Sequence, residues 1–171
     1  TIHDSDTGLE TDIDERTIGQ YTGMHDKSGK EISRNAIVAM AAALIAREHP
    51  GTTVVTDSIT SDQLTVYLEE CLGLKHLRFK RGYKNVINES VRLNAEGIDS
   101  QMAIETSGHG ALKENYFLDD GAYLVTKLLI ELARARKEGY TLESLIATLE
   151  EPEESIEFRM NILVEDFKSY G

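Results

Sequence analysis

Cysteine, long apolar runs and positive charge are all scarce in these 171 residues, and each shortage removes a class of protein. The single cysteine, Cys71, permits no internal disulfide, which agrees with a reducing compartment. It falls among Leu64, Tyr67, Leu68 and Leu72 at helical spacing, so it is expected to be a small buried hydrophobe rather than a nucleophile. No stretch approaches the roughly 20 apolar residues that a bilayer crossing requires, so neither a span nor a membrane partner is expected. The opening Thr1-Ile2-His3-Asp4 lacks a basic segment followed by an apolar core, so no secretory signal is expected and a cytoplasmic location is the expectation. Lys and Arg number 18 against 30 Asp and Glu, and the resulting charge of −12 disfavours nucleic acid and anionic membrane surfaces as partners.

What remains is a chain with 40% apolar and 28% charged residues, the composition of a soluble globular protein. A chain of 171 residues can bury roughly 70% of the surface exposed by its unfolded form, enough for one substantial domain. Strand and helix signals alternate along it. Ile37, Met40, Ala41, Leu44 and Ile45 predict a helix over 34–48, ended by Pro50-Gly51. The β-branched residues 52–56 predict a strand, and Ser61-Asp62 caps a helix running to about Leu72. A strand over 75–79, a helix over 83–95 stopped by Gly97, and a strand over 101–105 follow. A long helix begins near Asp119 or Asp120 and stops at Gly139, with Leu124, Val125, Leu128, Leu129 and Leu132 on a broad apolar face. Residues 141–150 predict a short helix. Strands separated by helices imply crossover connections, hence an α/β fold with a largely parallel or mixed sheet and helices on both faces.

Ligands in such sheets bind outside the carboxyl ends of the strands, and two polar clusters fall there. The first is Glu105-Thr106-Ser107-Gly108-His109, directly after the apolar Met102-Ala103-Ile104. A carboxylate there can accept hydrogen bonds from two adjacent sugar hydroxyls, and a serine can serve another. The second is Arg78, Lys80, Arg81 and Lys84, around Gly82, where a strand gives way to a helix N-terminus whose N–H groups favour phosphate. His76 lies beside apolar neighbours, and His3, His25 and His49 fall in loops or helix ends, so all four are expected to be structural or solvated.

From about Lys30 to Gly139 the chain resembles the third domain of the α-D-phosphohexomutases, the phosphoglucomutase and phosphomannomutase superfamily, with flanking pieces similar to parts of the second and fourth domains. The likeness rests on Glu31-Ile32-Ser33-Arg34-Asn35, on residues 55–62, on Phe79-Lys80-Arg81-Gly82-Tyr83-Lys84, and above all on Glu105-Thr106-Ser107-Gly108-His109 with the later Asp119-Asp120-Gly121. The resemblance implies a sugar-reading loop in which Glu105 and Ser107 contact neighbouring hexose hydroxyls, with His109 closing the motif and Lys80, Arg81 and Lys84 holding a phosphosugar. The implied activity moves a phosphoryl group between O1 and O6 of a hexose, through a phosphoserine enzyme and a bisphosphorylated sugar. The implied partners are a glucose or mannose phosphate and the other domains of a parent enzyme, and the implied cofactor is Mg²⁺.

The chain also departs from the family pattern. The magnesium loop, Asp-x-Asp-x-Asp-Arg, is matched only by Glu10-Thr11-Asp12-Ile13-Asp14-Glu15, leaving Asp12 and Asp14 as candidate metal ligands and Arg16 displaced by one. The competing expectation for residues 1–30 is an acidic leader without metal. No Thr-Ala-Ser-His-Asn-Pro-like phosphoserine loop occurs, nor any later Arg-x-Ser-x-Thr phosphate loop, so no catalytic residue is assigned. The expected organisation is a leader over 1–30, an α/β sugar-binding domain over 31–150, and a linker with the start of a further unit over 151–171, where residues 155–162 alternate like a strand. Such a piece is expected to be inactive alone. Two other classes compete: a serine hydrolase, against which Glu105 stands where a nucleophile elbow needs glycine, and a non-catalytic sugar-phosphate-binding or structural module.

Overall fold

The computed structural model describes residues 33–150 and Pro152 in full, together with the backbone of three two-residue strands. Those strands, β1 (Ile2–His3), β2 (Glu10–Thr11) and β3 (Met24–His25), pair antiparallel in sequence order. The candidate ligands Asp12 and Asp14, and the strand expected over 155–162, lie outside the described residues.

The main sheet has four strands in the order β5 (Lys75–Phe79), β4 (Thr53–Asp57), β6 (Ser100–Ile104), β7 (Gly110–Leu112). β4 runs parallel to both β5 and β6, while β7 turns back antiparallel on β6, so the sheet is mixed. Every side chain of β4 is buried, as a central strand covered on both faces requires. On one face Val54, Met102 and Ile104 pack with Leu64 and Leu68, with α1 (Arg34–Glu48) and with Leu124 of α4 (Gly121–Glu138). On the other, Val55 and Ala103 meet Val86 and Leu93 of α3 (Tyr83–Ala95). The two-residue period of the strands thus feeds two separate cores.

Local signals explain most element boundaries. Ser33 Oγ accepts the Ala36 N–H at 3.1 Å to start α1, and Ser61 Oγ accepts the Leu64 N–H at 3.1 Å to start α2 (Asp62–Val66). Asp120 caps α4 in the same way, at Tyr123 N–H, and Gly139 ends it at φ 81°. The helix expected over 141–150 is shorter, α5 (Leu142–Leu145), with Thr141 and Ser144 forming a reciprocal cap.

β4 and β6 each lie one residue from their expected ends, so Asp57 closes β4 and Glu105 stands just beyond β6. Cys71 is exposed. The reason is that α2 widens into a π-helical turn over Tyr67–Cys71, where Leu72 N–H bonds Tyr67 C=O at 3.1 Å, and the extra residue in that turn rotates Cys71 off the inward face. The apolar stripe of α4 is also narrower than expected, since Leu124, Leu128 and Leu132 are buried but Leu129 is exposed.

His76 is held at both ring nitrogens, with Nε2 2.8 Å from Thr56 Oγ1 and Nδ1 2.8 Å from Thr65 Oγ1. Burial, reinforced by Arg78, pushes its pKa down to about 4. The unfolded chain therefore takes up the proton first as pH falls from the ordinary histidine range, and folding loses stability between pH ~6.5 and ~4, on the order of 3 kcal/mol in all. Accordingly, the His76 imidazole resonances should stay fixed between pH 7 and 5.5, and an inflection near pH 6.5 in an NMR titration would contradict this burial.

Candidate functional site at the carboxyl edge of the sheet

The three parallel strands end in register: Asp57 lies beside Phe79, and Thr56 beside Ile104. Their following loops therefore start side by side, and the chemistry-bearing residues are on them. Glu105, Thr106, Ser107, Gly108 and His109 join β6 to β7. Lys80, Arg81 and Gly82 join β5 to α3.

Glu105 links the two loops. Its Oε1 accepts the Gly82 N–H at 2.6 Å and its Oε2 accepts the Ser107 hydroxyl at 3.0 Å. The first bond sets a carboxylate at the N-terminus of α3, where the helix dipole favours negative charge. Only 6% of Glu105 is exposed, so in the free chain the carboxylate organises the edge. Each carboxylate oxygen has two acceptor sites, and each here has one of these two protein donors, leaving capacity for a ligand hydroxyl. Ser107, which donates to Glu105, keeps its own oxygen as an acceptor.

His109 is fixed from two sides. Its Nδ1 lies 2.7 Å from Asp119 Oδ2, while its ring stacks on Tyr83 with centroids 4.8 Å apart and planes at 22°. Asp119 also accepts the Gly110 N–H at 3.2 Å through Oδ1, so one carboxylate holds both the histidine and the start of β7. Tyr83 opens α3, and Lys84 Nζ sits 5.8 Å from its ring centroid.

The basic cluster divides by function. Arg78 is committed, pairing with Asp62 and donating to Ser58 C=O at 3.1 Å. Lys80, Arg81 and Lys84 are exposed, and among the described residues none forms an ion pair; Arg81 acts through space on Asp57. That leaves three cations at one edge of a chain whose net charge is −12.

Sequence reasoning assigned no part in the site to three residues of this edge: Asp57, Tyr83 and Asp119. Asp57 could have been found by the signal that found Glu105, a carboxylate closing an apolar strand. Among the described residues no group of three or more His, Cys, Asp and Glu could hold a metal ion. A cavity of about 210 Å³ lies elsewhere, between α1 and α4, beside Leu44, Arg47, Lys127, Ile130 and Glu131. There the buried Glu131 accepts from Arg47, Arg134 and Tyr140, so its charge is met within the protein. No helix among the described residues is long and apolar enough to cross a membrane.

A family model described as phosphoglucomutase/phosphomannomutase, alpha/beta/alpha domain III, matches residues 33–152. No curated protein matches. Among solved structures, a phosphoglucomutase/phosphomannomutase family protein from Burkholderia thailandensis is similar at TM-score 0.61 and 27% identity, over 75% of this chain and 26% of that one. A protein assigned as a phosphomannomutase from Thermus thermophilus is similar in fold at TM-score 0.59 and 21% identity, over 74% of this chain and 28% of that one. An N-acetylphosphoglucosamine mutase from Aspergillus fumigatus shares the fold at TM-score 0.53 and 19% identity, over 73% of this chain and 29% of that one. The chain thus spans about a quarter of the length of these solved relatives.

Proposed function

The chain belongs to the phosphoglucomutase/phosphomannomutase family as its domain III, and from that premise we propose that it is the sugar-recognition domain of an enzyme moving phosphate between O1 and O6 of a hexose. The reading is supported by the convergence, on one sheet edge, of the hydrogen-bonded Glu105–Ser107 pair with three cations that have no ion-pair partner among the described residues. A hexose phosphate needs both: acceptors and donors for adjacent ring hydroxyls, and positive charge for a dianion. In this reading Glu105 and Ser107 take ring hydroxyls, His109 closes the same loop over the sugar, and Lys80, Arg81 and Lys84 offset phosphate charge. Phosphoryl transfer is catalysed chiefly by positioning and charge stabilisation, and this edge would supply both to a phosphoserine carried elsewhere in the parent enzyme. Mg²⁺ and its candidate ligands Asp12 and Asp14 belong to the proposal for that parent, which is also proposed to be cytoplasmic. The chain alone would turn nothing over.

The same edge also suits a purely structural domain. Both oxygens of the Glu105 carboxylate already hold protein donors, as they would in a structural domain with no ligand. Calorimetry decides between the two. Titration of the chain with α-D-glucose 1-phosphate or α-D-mannose 1-phosphate should give weak, saturable heat that Lys80→Ala and Arg81→Ala diminish. Absence of saturable heat with both sugars would leave the structural reading.

A further inference from the structure

The loop between β6 and β7 has little to hold it by itself. Its internal backbone bonds are Glu105 N–H to His109 C=O at 2.8 Å and Gly108 N–H to Glu105 C=O at 3.0 Å. These close a turn, but they do not set where that turn sits relative to the rest of the sheet edge. Glu105 ties its start to Gly82, and Asp119 and Tyr83 hold His109 at its end; between them the anchor is Thr106, which donates twice to Asp57: the backbone N–H to Oδ1 at 3.3 Å and the side-chain hydroxyl to Oδ2 at 2.9 Å. Asp57 is the last residue of the central strand and only 1% exposed. A carboxylate so buried is retained at a cost unless its oxygens are matched, and here one residue matches both. Two bonds to one residue fix orientation as well as position.

Thr106 lies between the two residues that would grip the sugar. Holding its N–H and its hydroxyl on the same carboxylate fixes the peptide that joins it to Glu105 and limits where Ser107 can reach. Asp57 itself is too buried to touch a ligand. We propose that Asp57 is a positioning residue of the hexose site, which by clamping Thr106 makes Glu105 and Ser107 face the bound sugar together. This inference rests on the sugar-recognition reading given above, and it assigns a role that the Glu-x-Ser-Gly-His pattern leaves open, because the clamped residue is the variable one.

The chemistry of the clamp defines its test. Serine at 106 keeps both donors and loses only a methyl group. Valine keeps the shape and the N–H but loses the hydroxyl. Asparagine at 57 keeps one acceptor oxygen and presents an NH₂ donor where the second was. Dissociation constants for α-D-glucose 1-phosphate and α-D-mannose 1-phosphate would be measured by calorimetry on the whole chain and on Thr106→Ser, Thr106→Val, Asp57→Asn and the Asp57→Asn/Thr106→Val double variant, with urea midpoints in parallel. Expected are affinity within twofold of the unmodified chain for Thr106→Ser, at least fivefold weaker binding for Thr106→Val and for Asp57→Asn, and a double variant no weaker than the weaker single one. That last result marks one shared interaction, which general loosening of the fold would not give. Should Asp57→Asn fail to fold, the Ser and Val variants at 106 carry the comparison. Equal affinity for Thr106→Val and Thr106→Ser would overturn the role of Asp57 and leave the sugar site standing. No saturable binding by the unmodified chain would remove the sugar site, and this inference with it.

Discussion

Glu105→Ala, introduced into a complete phosphohexomutase carrying this domain, is expected to lower kcat/KM at least tenfold and also to destabilise the domain. The first effect follows from hydrogen bonds to a charged acceptor, which contribute about 1.5–3 kcal/mol each, so losing one to a sugar hydroxyl costs roughly tenfold or more. The second follows from geometry that is invisible in sequence. Sequence reasoning alone would expect little change in stability, because a ligand-binding carboxylate in a loop has nothing to support. Instead Glu105 is almost fully buried and holds the Gly82 N–H and the Ser107 hydroxyl. Its removal leaves both without that acceptor, at about 1–3 kcal/mol. Glu105→Gln separates the two effects. It retains an amide oxygen for the Gly82 N–H and should recover most of the stability, while steady-state kinetics should still show the loss of the charged acceptor. Unchanged kcat/KM in both variants would remove Glu105 from the site.

Gly82→Ala is the second large effect. Gly82 sits at φ 118° and ψ 120°, outside the regions open to residues with a side chain, and a Cβ there would lie 2.9 Å from Asn85 Nδ2. Asn85 cannot simply swing away without loss, because its Nδ2 donates to Arg81 C=O at 2.8 Å and so closes the turn before α3. The backbone strain alone costs on the order of 1–3 kcal/mol. Relief of that strain must rotate the Gly82 N–H away from Glu105, so the substitution damages the two loops together. The expected result is a lowered urea midpoint with sugar-phosphate binding weakened in step. A variant as stable as the unmodified chain would show that the turn tolerates a side chain and that the Gly82–Glu105 bond does not set the edge.

Much of the fold was legible because its signals are local. The bounds of α3, Tyr83–Ala95, follow from Gly82 before it and Gly97 at φ 83° after it, and Ser61 announced α2 through its own side chain. What escaped depends on partners distant in sequence. β7 is three residues, Gly110–Leu112, with no alternation to read, and exists as a strand only because β6 lies beside it. Asp57 is a poor strand former, yet register with Phe79 extends β4 to include it, which is why the strand appeared to end one residue early. At the site, the residue types at 105, 107 and 109 were readable, whereas the Glu105–Gly82 and Asp57–Thr106 bonds join residues 23 and 49 positions apart. The outward turn of Cys71 was missed for a different reason: nothing in Tyr67-Leu68-Glu69-Glu70-Cys71 distinguishes a π turn from an α turn before the chain has packed.

The claim on which all of this depends is that a phosphorylated hexose is read at the carboxyl edge of the main sheet. It is tested most directly by following the amide resonances of the labelled chain as α-D-glucose 1-phosphate is added. Saturable shifts are expected at Arg81, Gly82, Tyr83, Thr106, Ser107, Gly108 and His109, with Lys127, Ile130 and Glu131 beside the α1–α4 cavity unmoved. Shifts confined to that cavity, or none at saturating sugar, would contradict it.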